Sequence, residues 1–141
     1  MILPDVNVLL YAMRRDAKQH GEYRAWLHDV INGDDPFGMS TQALASVIRI
    51  STHPSAFAPP STIAEALGFC RIVLASEQCV VIRPGPLHWK IFSELCEQSH
   101  TKGNMVQDAW FAALAIEAGC EWITTDRDYS RFAGLRWRAP F

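Results

Sequence analysis

At 141 residues the chain has the length of one domain, and 49% apolar with 20% charged residues fits a globular protein able to bury a core. A net charge of −2 excludes a bulk attraction to nucleic acid or membrane, so a polyanionic ligand needs a local basic patch. No apolar run of about 18 residues is present, which excludes a spanning helix.

The N-terminus has no basic segment, and Asp5 interrupts its apolar stretch. The expectation is a cytoplasmic protein without a signal peptide. Cys70, Cys79, Cys96 and Cys120 form no C-x-x-C pair and sit in apolar contexts, so they read as reduced, buried thiols.

In chain order, residues 1–5 read as a short buried strand and 6–13 as the first turns of a helix. A second helix covers 18–32, with Tyr23, Trp26, Leu27 and Val30 on one face and Gly33 placed to end it. A turn at 32–36 leads to a strand at 37–39. Ser40 or Thr41 caps a helix running to Thr52, with Leu44, Val47 and Ile48 inward. Three prolines within 53–60 forbid its continuation. Thr62 and Glu65 have capping-box spacing, with Ser61 an equal candidate cap. The helix that follows turns Ile63, Leu67, Cys70 and Leu74 to one side.

Residues 79–82 are uncharged and rich in valine and isoleucine, as in a buried strand. After Pro84-Gly85-Pro86, a helix over 87–99 is expected to bury Leu87, Ile91, Phe92 and Leu95. The next helix, 105–118, carries Ala109, Ala112 and Ala113 on its inner side and stops at Gly119. A strand at 121–125, a helical turn at 127–132 and an edge strand at 135–139 complete the chain. Nothing repeats and no linker divides it. Alternating strands and helices predict a single α/β domain over 1–141, with right-handed crossovers in a mainly parallel sheet of four or five strands.

Asp5, Asp108 and Asp126 fall at element boundaries that such a fold gathers at one edge of its sheet. Each has an ordinary reading: Asp5 and Asp126 as helix caps, Asp108 as an acid favoured by a helix dipole. Together they repel, and a hard divalent cation resolves the conflict. Mg²⁺ or Mn²⁺ held this way suits phosphodiester hydrolysis. Asn7, Thr124 and Thr125 are placed to orient the ligands, and Asp128 to add a ligand or face solvent.

The chain resembles the PIN-domain ribonucleases, and among them the VapC-type toxins. The matching stretches are Leu3-Pro4-Asp5-Val6-Asn7-Val8-Leu9-Leu10-Tyr11-Ala12, Gly103-Asn104-Met105-Val106-Gln107-Asp108-Ala109, Ala112-Ala113-Leu114-Ala115 and Thr125-Asp126-Arg127-Asp128-Tyr129. Thr52-His53-Pro54 and Phe132-Ala133-Gly134-Leu135-Arg136-Trp137 resemble one branch of these toxins. The resemblance implies a three-layer α/β/α fold, a Mg²⁺- or Mn²⁺-dependent endoribonuclease, a homodimer and a small VapB-type antitoxin. It puts Asp5, Asp108 and Asp126 on family acidic positions, with Asp5 and Asp108 as direct metal ligands. One departure stands out. Such toxins usually carry a Glu on the helix after the second strand, and here no acid lies between Asp35 and Glu65. Gln42 and Ser46 are the nearest polar substitutes.

Arg14, Arg15 and Arg49 are candidate RNA contacts, against a simpler role as solvated surface charge. The five histidines show no metal-ligand spacing, and the five tryptophans read first as packing residues. Trp110 and Phe111 cannot both face the core, so one is expected to mark a partner surface. Two other functions fit the residues: a catalytically weakened module that binds RNA or a protein without cleavage, and a phosphate-accepting acid-pocket domain. The second needs a lysine near the acids, and none lies at a strand end.

Overall fold

Three residues, Ile2–Pro4, form strand β1 of the computed structural model, which describes residues 1–141. Asp5 stops the strand and starts the next element. Its backbone is extended, and its carboxylate accepts the Val6 amide at 2.6 Å. Helix α1 (Val6–Met13) follows, then α2 (His20–Asn32), β2 (Phe37–Ser40), α3 (Thr41–Ser51) and α4 (Ile63–Leu74). β3 (Cys79–Ile82), α5 (His88–Gln98), α6 (Met105–Glu117) and β4 (Glu121–Ile123) come next, then a 3-10 turn (Arg127–Arg131) and β5 (Trp137–Arg138).

Local chemistry explains the boundaries. The Ser40 hydroxyl accepts the Ala43 amide at 3.3 Å, and the Thr62 hydroxyl accepts the Glu65 amide at 3.1 Å, so Ser40 and Thr62 are the caps of α3 and α4. Gly119 ends α6 at φ +65°, with the Gly119 amide bonded to the Ile116 carbonyl and the Cys120 amide to the Ala115 carbonyl. Gly33 acts differently. Its backbone is extended, and a Cβ there would stand 2.8 Å from the Asp29 carbonyl oxygen.

Every strand pair is parallel. Ile2 lies opposite Glu121, Pro4 opposite Ile123, and Ile123 opposite Arg138. β2 and β3 form a second ladder, from Phe37 opposite Cys79 to Ser40 opposite Ile82. β2 lies against β1 without a ladder, and a Cβ at Gly38 would come 3.3 Å from the Ile2 carbonyl oxygen. The spatial order is therefore β3, β2, β1, β4, β5. From β1 to β3 the chain moves one way across the sheet, and to reach β4 it doubles back. Right-handed crossovers then put α1 to α4 on one face and α5 with α6 on the other. The packing agrees: α1 meets α2 and α3, α3 meets α4, and α5 meets α6. The direction reverses between β1 and β4, and that is where an open α/β sheet leaves a crevice at its strand ends.

A cluster of 27 buried side chains fills the interior, with Leu3, Val8, Leu9, Met39, Ala113 and Trp122 fully enclosed. No helix is long and apolar enough to cross a membrane.

Several expected faces are displaced. α4 buries Ala66, Cys70 and Val73, while Ile63 and Leu74 are exposed. α5 starts at His88, so Leu87 is exposed and His88 is buried with Leu95. His88 is satisfied there, its Nε2 lying 3.0 Å from the Trp110 carbonyl oxygen. β3 is an edge strand, half-covered, with Val80 exposed. Phe111 takes the core position, and Trp110 packs on His88 and Phe92 of α5 instead of marking a free surface.

Gly38 is the point where β2 comes against β1. Gly38→Ala should destabilise the protein by about 1–3 kcal/mol, because the added methyl also meets the Ile82 side chain at 2.9 Å. Urea unfolding checks this, and an unchanged midpoint would contradict the close β1–β2 approach.

Candidate metal centre

The β1–β4 register sets Asp5 beside Thr124, two residues before Asp126. The Asp5 amide donates to the Ile123 carbonyl at 2.9 Å, extending the ladder past the strand end. Thr124 then links three segments through one hydroxyl. Its Oγ1 donates to Asp5 Oδ2 at 2.6 Å and accepts from Asn7 Nδ2 at 3.1 Å and from the Asp126 amide at 3.0 Å. A hydroxyl has one proton and two lone pairs, and all are used. Asp126 caps the 3-10 turn, its Oδ1 accepting the Asp128 amide at 2.8 Å. Asp108 enters from the first turn of α6, where the Tyr129 hydroxyl donates to its Oδ1 at 3.4 Å.

Thr124 and Tyr129 thus bring the three acids into one region, and each acid feels the others' charge. Asp5 is only 5% exposed, and burial pushes its carboxyl up to about 7, with Asp108 and Asp126 adding repulsion. The bonds from Thr124 and Val6 oppose this rise. Burial and then Asp126 raise the Asp108 carboxyl. The Tyr129 hydroxyl is raised by burial first and then by all three acids. No three His, Cys, Asp or Glu groups stand close enough together to ligate one ion in common. The three acids are therefore neighbours without forming a three-fold ligand set. Such a donor set fits a hard cation that keeps several waters and takes one or two protein carboxylates. Asn7 Oδ1 supports this fit, since it is buried beside Asp5 and Thr124 without a hydrogen-bond partner.

The remaining sequence candidates separate. Asn7 is bonded into the site, but the bonded threonine is Thr124; Thr125 is half-buried and makes no side-chain hydrogen bond. Asp128 is exposed and pairs with Arg131 at 3.4 Å. Arg14 is a fastener whose side chain is 11% exposed. It pairs with Asp16 at 2.6 Å, bonds Ser61 Oγ and the Pro59 carbonyl, and lies 4.3 Å over the Phe57 ring. Arg15 and Arg49 are exposed and unpaired. On α3, Gln42 is exposed and Ser46 half-buried, so no carboxylate replaces the absent glutamate. Sequence reasoning missed Tyr129 and Arg131. The available signal was the 3-10 spacing of three, which returns Tyr129 to the side of Asp126 and Arg131 to the side of Asp128.

A parallel α/β sheet with carboxylates spread around its crevice suits metal-dependent chemistry on phosphate esters. A family model described as the PIN domain matches residues 2–135. The ribonuclease VapC43 of Mycobacterium tuberculosis is 38% identical over 140 residues, covering 99% of this chain and 95% of that protein. The ribonuclease VapC31 of the same species is 36% identical, covering 99% of both. Among solved structures, VapBC2 from Rickettsia felis bound to a promoter DNA fragment superposes with a TM-score of 0.70 at 19% identity, covering 99% of this chain and 98% of that one. The chain belongs to the PIN-domain family, as a VapC-type ribonuclease toxin of a toxin–antitoxin system. Nucleases of this family are metal-dependent.

Asp5 ties the site to stability. Its carboxyl is near 7 when folded and 3.8 ordinarily, so between these values the folded chain holds a proton that the unfolded chain releases. That contribution to stability is complete below about 4 and is lost as the pH rises through about 7. It amounts to as much as about 4 kcal/mol at roughly 1.4 kcal/mol per pH unit. The Tm of the metal-free protein should therefore fall between about pH 4 and pH 7 and level off above, and Asp5→Asn should remove most of the fall. A profile that Asp5→Asn leaves unchanged would contradict the buried carboxylate.

Proposed function

We propose that the chain is an endoribonuclease that hydrolyses RNA phosphodiester bonds with a hydrated Mg²⁺ or Mn²⁺ at the site formed by Asp5, Asp108 and Asp126, one or two of these carboxylates ligating the ion directly and the rest acting through its bound water. The observation that carries this reading is Asp5, a nearly enclosed carboxylate whose protonation is raised further by two neighbouring acids. A divalent cation makes that burial tolerable at neutral pH. When bound, it supplies Lewis-acid polarisation of the phosphate and activation of a water.

The chain's own residues do the positioning. Thr124 fixes one oxygen of Asp5 while the Val6 amide fixes the other. Tyr129 contacts one oxygen of Asp108 and leaves the second uncommitted. Asn7 holds Thr124 from the opposite side and keeps a carbonyl oxygen unengaged. Asp126 is turned by its cap on the 3-10 segment.

Family membership supports a VapB-type antitoxin as partner, as in the VapBC2 assembly; the homodimer is proposed from the family resemblance alone. The family match over 2–135 supports reading 1–141 as one domain.

The full chain, purified free of any partner, should cleave RNA with Mn²⁺ or Mg²⁺ and stop when EDTA is added. Asp5→Asn should lower cleavage by on the order of a hundredfold or more while remaining folded. Gel analysis of RNA ends checks both. Failure to cut with either ion, or undiminished cutting by Asp5→Asn, would overturn the reading.

A further inference from the structure

Arg131 closes the turn that Asp126 caps. Its guanidinium lies between that turn and the start of α6. Nε donates to the Asp128 carbonyl at 2.9 Å, Nη1 to the Met105 sulfur at 3.0 Å, and Nη2 stands 3.4 Å from Asp128 Oδ1. Met105 precedes Asp108 by one helical turn, so the two share a face.

These contacts leave the guanidinium available. A thioether is a weak acceptor. The Asp128 carboxylate is 71% exposed, and an ion pair in water holds little. The Arg131 side chain is itself 32% exposed, so its fork reaches solvent. Arg14, by contrast, is fully engaged with its own loop.

A pocket of carboxylates repels the polyanion it must bind. A fixed cation at the rim offsets that repulsion, and the guanidinium fork matches two phosphate oxygens. We propose that Arg131 is a substrate-positioning residue that binds a phosphate of the RNA strand at the rim of the acidic site, giving up its thioether contact to do so. This rests on the ribonuclease reading and adds the group that meets the substrate.

The test uses the full chain and two probes: a fluorescein-labelled single-stranded RNA of mixed sequence, and Mn²⁺ alone. In an Asp5→Asn background, which leaves the RNA uncut, Arg131→Ala should weaken RNA binding roughly tenfold. The slope of log affinity against log salt should fall by about 1. Arg131→Lys should restore the slope but only part of the affinity, because it keeps charge without the fork. With Asp5 intact, Arg131→Ala should bind Mn²⁺ as tightly as the unsubstituted chain or more tightly, since a repelling cation is gone. A merely structural role would weaken RNA and Mn²⁺ together and lower the Tm. That joint loss, or an unchanged RNA affinity and salt slope, overturns the assignment. An unsubstituted chain that neither binds nor cuts RNA overturns the ribonuclease reading itself, whereas one that does both and is matched by Arg131→Ala overturns only the role of Arg131.

Discussion

One hydroxyl holds the acidic site together. Thr124 contacts Asp5 on the first strand–helix junction, Asn7 in the first turn of α1, and the backbone leading to Asp126. These segments are far apart in sequence and meet only because β1 and β4 are neighbours in register. The hydroxyl supplies the bond that makes a buried carboxylate acceptable, and it draws the Asp126 turn toward that carboxylate. Burial of Asp5, its raised protonation and its closeness to two further acids all follow from that arrangement. The topology supplies the rest. Reversal of direction between β1 and β4 opens the crevice, and α6 brings Asp108 to it.

The elements that set the site were readable for a simple reason. An apolar strand that stops at an aspartate carries its own boundary, and Asp5 shows it. Asp126 and Asp108 were readable because alternating strands and helices leave few places for them to go. The choice between Thr124 and Thr125 was not readable. β4 ends at Ile123, so strand alternation no longer decides which threonine turns inward. Arg14 looked like part of a basic patch because its neighbours in sequence are basic. Its partners, Phe57, Pro59 and Ser61, come from a loop that the fold brings to it. On α5 the expected inner face holds at Ile91, Phe92 and Leu95 and fails only at Leu87, which precedes the helix. The prolines at 84 and 86 suggested an earlier start, and a buried histidine is not an apolar signal until its carbonyl partner is known.

The missing acid on α3 has a definite effect on this site. Three carboxylates repel less than four, so the ion-free pocket is easier to fold. The same subtraction removes a ligand and weakens the hold on a cation before phosphate arrives. The spread of the remaining acids points the same way, since no three are grouped to grip an ion by themselves. Charge brought by the nucleic acid, and charge offered at the rim by Arg131, then matter more than they would around a fully acidic cage.

Helix α6 serves two purposes at once. Its inner side is built from Ala109, Ala112 and Ala113, all without exposed surface, and its first turn carries Asp108. Side chains this thin let the helix settle deep against the strands, and that depth sets how far the carboxylate extends into the crevice. A single bulkier residue on the hidden side would lift the whole rod and retract the acid with it. Toxicity can thus be attenuated from the interior, with the chemistry at the mouth unaltered, and a lineage could disarm such a protein gradually while every acidic position still looked intact.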